Sequence, residues 1–75
     1  MPHVIVKMYS GRTEEMKIDM VNKITKAITE SLNLSDSTVS VAVEEIEPEK
    51  WNEAVYKPDI IEKEHLLYKK PGYTP

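Results

Sequence analysis

Apolar residues change period twice along the first half of the chain, and each change marks a new element. His3–Tyr9 is rich in β-branched residues and sets Val4, Val6 and Met8 on one side, which predicts a strand. Ser10, Gly11 and Arg12 break that run, and Gly11 can take backbone angles that other residues avoid. Met16, Met20, Val21, Ile24, Ala27, Ile28 and Leu32 then recur at spacings of three and four, with Lys17, Asp19, Lys23, Lys26 and Glu30 between them. This is the pattern of an amphipathic helix of about five turns. Thr13 is placed to cap it, and Glu14 and Glu15 suit its positive end. Turn-forming residues 33–37 close the helix. From Thr38 to Ile46 the period returns to two, with Val39, Val41 and Val43 on one face and Ser40, Ala42 and Glu44 on the other.

Strand, long helix and strand in succession predict a βαβ unit, with parallel strands and the helix over one face. The remainder is less regular. Pro48 and Pro58 interrupt it, and residues 58–68 read as a second helix with Pro58 in its first turn, ended by a turn over 69–73. The fold class is therefore α/β, one domain over residues 1–75, with a second C-terminal helix. A two-stranded sheet does not stand alone, and its open edges invite pairing with another chain. Completion of the sheet by homo-oligomerisation is the expectation.

Composition narrows the partners. A chain of 75 residues buries a small core, and with no cysteine it has neither disulfides nor a thiolate metal site. His3 and His65 have no ligand-type neighbour at helical spacing, so no metal is expected. The net charge of -3, with Lys and Arg scattered, argues against nucleic acid. No apolar run approaches the roughly 20 residues that span a bilayer, and the first residues lack the charged and small-residue features of a signal peptide. A cytoplasmic protein is expected.

There is no nucleophilic cysteine, no GxSxG turn and no glycine-rich phosphate loop, so any catalysis rests on acid–base and electrostatic means without a cofactor. Pro2 is the unusual feature. Removal of Met1 leaves a secondary amine at the head of a strand, and burial beside a cation lowers the pKa of such a group toward neutrality. A Met-Pro opening also occurs with no function attached. Arg12, the sole arginine, stands where the first strand hands over to the helix. It is either a carboxylate clamp or a surface residue capping the loop. Trp51, the sole tryptophan, either lines an apolar pocket or plugs the core or a subunit interface. Ser40 is either solvated or pocket-facing. Glu44, Glu45, Glu47 and Glu49 read as a solvated acidic surface, and the two histidines as structural or exposed.

Met1-Pro2-His3-Val4, the Ser10–Glu15 segment, the long helix and the Val39–Val43 strand together resemble the 4-oxalocrotonate tautomerase family. Asp36-Ser37, Glu47-Pro48-Glu49-Lys50-Trp51 and Lys69-Lys70-Pro71-Gly72-Tyr73 resemble its PptA-type branch. The resemblance covers essentially the whole chain. It implies a βαβ tautomerase-like unit, assembled as a dimer in preference to a hexamer, with Pro2 as catalytic base. It implies further that Arg12 binds a substrate carboxylate and that Trp51 lines the pocket. Ser40 falls where the 4-oxalocrotonate enzymes carry a second arginine, which favours a monocarboxylate such as a phenylpyruvate-like 2-keto acid over a dicarboxylate. The alternatives are a Pro2 acid serving hydration or dehalogenation, and a non-catalytic binding or oligomerisation module.

Overall fold

The computed structural model describes residues 1–75. Two strands, β1 (His3–Tyr9) and β2 (Ser40–Ile46), pair in parallel and are joined by the helix α1 (Glu14–Leu32). The register sets His3 opposite Ser40, Val4 opposite Val41 and Val6 opposite Val43. Paired residues of a parallel ladder share a face, so Val4, Val6 and Met8 join Val41 and Val43 beneath α1. The Lys17 ammonium, reaching from α1 to Glu45 of β2 at 2.8 Å, ties helix and sheet together.

The helix ends follow from local chemistry. The Thr13 hydroxyl accepts the Met16 N–H at 3.2 Å and supplies the N-cap. Asn33 adopts the left-handed conformation, with φ 56° and ψ 53°, and its N–H returns to the Thr29 carbonyl. β2 begins at Ser40, two residues later than the alternating pattern predicts, because Asp36–Thr38 forms a short 3₁₀ turn. The Thr38 hydroxyl donates to the Ser35 carbonyl there at 2.8 Å, a local bond that competes with strand pairing.

The second helix lies elsewhere than expected. It covers Asn52–Ile61, so Pro58 is inside it, and residues 64–66 form only a 3₁₀ turn. Its hydrogen bonds span five residues, as in Glu62 N–H to the Lys57 carbonyl at 3.0 Å. Two features account for the shift. Pro48 heads a short turn at Pro48–Lys50 that carries the chain into a helical path before Trp51. Trp51, Val55 and Asp59, four residues apart, then face the side of the sheet opposite α1: Trp51 meets Tyr9, Asp59 bonds Lys7 at 2.5 Å, and Val55 between them lines the same hollow as Ile5. This contact fixes the helix position against the preference of Pro58 for a first turn.

One chain encloses little. Val55 is the only buried residue, and Ile5, Ile18 and Leu32 are each more than half exposed. The accessible surface is 5887 Å², where a folded monomer of 8.6 kDa has about 4,700 Å². The radius of gyration is 13.8 Å, against about 11 Å for a compact chain of this length. With both sheet edges open, these dimensions fit a subunit whose core is completed by another copy. No helix is long and apolar enough to cross a membrane.

Candidate active site

The residues singled out by sequence fall at two ends of β1. At its amino end, Pro2 precedes the strand and its carbonyl accepts the Ser40 N–H at 3.2 Å. The Ser40 hydroxyl lies 2.6 Å from Nδ1 of His3. Ser40 thus holds both residues that follow Met1, one through its backbone and one through its side chain. Met1 itself is 96% exposed, which leaves its peptide bond to Pro2 open to removal.

At the carboxyl end lies a concavity of about 540 Å³ that includes Met8, Tyr9, Arg12, Met20, Trp51 and Tyr73 in its lining. It runs over the open edge of β1, since Met8 belongs to the α1 face and Tyr9 to the opposite one. Trp51 anchors the wall. Its indole meets the Tyr9 ring edge-on at 5.2 Å and 85°, and its Nε1–H donates to the Tyr73 hydroxyl at 2.8 Å. Arg12 takes part in none of the ion pairs of the fold, so its guanidinium is available to an external anion.

The loop that carries Arg12 is held by acidic residues read from sequence as a solvated surface. Gly11 has φ 118°, a conformation that only glycine adopts easily. The Glu45 carboxylate accepts from the Lys17 ammonium at 2.8 Å, which above all holds its carboxyl below the ordinary carboxylate range, with the Gly11 backbone N–H acting in the same direction. Ser10 donates to Glu47 at 3.1 Å. Glu45 and Glu47 therefore act as fasteners of the β1–α1 loop. Alternation along β2 could have placed Glu45 on the α1 face, and the neighbouring charges obscured it.

β1 spans about 20 Å at roughly 3.3 Å per residue, so Pro2 and Arg12 of one chain stand at opposite ends of a strand. Arg12 and Trp51 are brought together, and so are Pro2 and Ser40. The two pairs are not.

The tautomerase enzyme family model matches residues 2–55, from Pro2 through β1, α1, β2 and Trp51 to Val55. The chain belongs to the tautomerase family. It is an isomerase of the tautomerase type, and it is 40% identical over 73 residues to a probable tautomerase of Xylella fastidiosa, covering 97% of this chain and 89% of that protein. It is 36% identical over 75 residues to the tautomerase PptA of Escherichia coli, covering 99% of each. Among solved structures it resembles YwhB, a homologue of 4-oxalocrotonate tautomerase, with 41% identity and a TM-score of 0.60 over 61% of this chain and 75% of that one. The tautomerase model ends before Tyr56, whereas the two full-length relatives match through nearly the whole tail.

Proposed function

We propose that this tautomerase interconverts enol and keto forms of a 2-keto acid with an aromatic side chain, phenylpyruvate being the model substrate, without a cofactor. The carrying observation is the concavity that combines one unpaired guanidinium, Arg12, with an aromatic wall centred on Trp51. One arginine suits one carboxylate, held through paired charge-assisted hydrogen bonds. A wall of Tyr9 and Trp51 suits a planar apolar group.

Pro2 supplies the base once Met1 is removed. Its nitrogen takes the enol hydroxyl proton as the carbonyl forms, and returns a proton to C3. The reverse path takes the C3 proton, and Arg12 with nearby backbone N–H groups stabilises the enolate charge.

Because Pro2 and Arg12 stand at opposite ends of β1, one site draws them from two chains. A second copy adding its β1 antiparallel to the first brings its Pro2 to the Arg12 end of its neighbour, and two-fold symmetry forms two such sites. The homodimer is the smallest assembly that does so, and the extended surface of the single chain supports it. Ser40 then keeps Pro2 in register and leaves its surroundings without a second cation.

The test compares protein free of Met1 with protein that retains it, following phenylpyruvate enol consumption. The Met1-free form turns over, and the retained form, whose Pro2 nitrogen is an amide, does not. Equal turnover by both forms would exclude Pro2 as the base. A rate that rises as the Pro2 amine loses its proton distinguishes this reading from one in which protonated Pro2 acts as an acid.

A further inference from the structure

We infer that Tyr73, in the C-terminal tail beyond the segment that the family model matches, is a specificity-determining residue for the aromatic group of the substrate. The inference rests on the 2-keto acid reading for the site it concerns. It adds a residue and a physical reason for the preference.

The reason lies in the Trp51 indole. Its ring is apolar, but its Nε1–H is a donor that accepts nothing, and burying it unpaired is costly. A substrate ring laid on this wall displaces the water that would otherwise satisfy that donor. The Tyr73 hydroxyl already accepts it at 2.8 Å, so the wall can take an apolar ring without stranding a polar group. Tyr73 is itself held in place, its ring lying 5.7 Å from that of Tyr56 on the second helix. Tyr9 packs edge-on against the indole from β1. The tail thus completes a relay of rings, Tyr56 to Tyr73 to Trp51 to Tyr9, that fixes the indole plane at the mouth of the concavity. A small aliphatic 2-keto acid anchored by Arg12 has no ring to lay on this wall and does not depend on it.

Tyr73→Phe is the informative variant, since it keeps the ring that packs on Tyr56 and removes only the acceptor. KM for phenylpyruvate should rise roughly tenfold, the scale of leaving one donor unpaired in a closed contact. KM for 2-oxobutyrate and kcat for either substrate should change much less than KM for phenylpyruvate does. Because Trp51 is the sole tryptophan, its fluorescence gives a second readout that needs no turnover. Titration with 3-phenylpropionate should show the same loss of affinity in Tyr73→Phe, and a larger one in Tyr73→Ala. Equal shifts in KM for the aromatic and aliphatic acids would overturn the inference. So would unchanged affinity for 3-phenylpropionate in both variants, or no fluorescence response in the parent protein. A parent protein that fails to turn over phenylpyruvate, yet shows the Tyr73-dependent titration, would refute the substrate reading and leave this role of Tyr73 standing.

Discussion

The two ends of β1 are built on different plans. The amino end is polar and sparse: Pro2 is held by one backbone bond to Ser40, and His3 by one hydroxyl contact. The carboxyl end is a lattice, in which Trp51 is fixed by Tyr9 and Tyr73 and the Arg12 loop is fastened by Glu45 and Glu47. The contrast fits the division of roles proposed for the two ends. A base needs one nitrogen at a set position, and a strand in register provides that. Recognition of a substrate needs a surface, and a surface needs many side chains whose positions depend on one another. Substitutions at the amino end should therefore act through one atom, and those at the carboxyl end in graded steps.

The largest effect expected is at the amino end. Pro2→Ala should lower kcat roughly 10²- to 10⁴-fold, the usual contribution of a positioned acid–base group, while Trp51 still titrates with 3-phenylpropionate. Arg12→Ala should raise KM and lower kcat/KM by roughly 10²-fold through loss of the charge-assisted carboxylate bonds. Mixing these two inactive proteins, after unfolding and refolding together, sharpens the comparison further. If the ends meet across a two-fold axis, about half of the dimers are mixed and each regains one of two sites, giving about a quarter of the parent activity. No recovery in verified mixed dimers would mean that each site takes both residues from one chain.

The βαβ unit was legible because its signals are local. Thr13, the apolar spacing from Met16 to Leu32 and the valine alternation of β2 specify their elements without help from distant residues. The second helix was legible only in kind. Pro58 carries a strong local preference for a first turn, and the contacts of Trp51 and Asp59 with β1, which overrule it, join residues more than 40 positions apart. Pro2, Arg12 and Trp51, the residues of the proposed site, could be named from their types alone, but their division between two ends of a strand emerges only from the fold. Tyr73 gave a family signal in its tail motif and no hint that it would meet Trp51, since that bond spans 22 residues and depends on the shifted helix.

Smaller effects test how far the carboxyl end depends on its fasteners. Glu45→Gln removes the charge that holds Lys17 and weakens the hold on Gly11, and should raise KM roughly two- to fivefold with kcat unchanged, the scale of exposed charge pairs. The Glu45 carboxyl is held below its ordinary range, chiefly by its hydrogen bond from Lys17. The fastening is therefore complete above the ordinary carboxylate value and is lost as pH falls through the lowered one. The gap in KM between parent and Glu45→Gln should close in acid and persist at neutral pH. A gap that instead widens in acid would show that Glu45 acts on the loop by some means other than its charge.

Asp59 extends the same logic to the contact that sets the second helix. The hydrogen bond from Lys7 lowers its carboxyl and the same bond raises the Lys7 ammonium, so the two shifts describe one interaction and are not summed. Both side chains remain partly open to solvent, at 25% and 31% exposure, which keeps the pair near the surface scale. Asp59→Asn should cost up to about 1 kcal/mol of stability at neutral pH, read as a lower Tm. For a lowered carboxylate the stabilisation is present above the ordinary value and disappears as pH falls through the lowered one, so the two proteins should melt together once the pH is below that lowered value. Trp51 and Tyr73 sit at the other end of that helix and its tail, and phenylpyruvate KM reports on them. If Asp59→Asn lowers Tm and leaves that KM unchanged, the aromatic lattice is self-supporting. If KM rises with the loss of Tm, the lattice depends on the Lys7–Asp59 pair to hold its helix to the sheet.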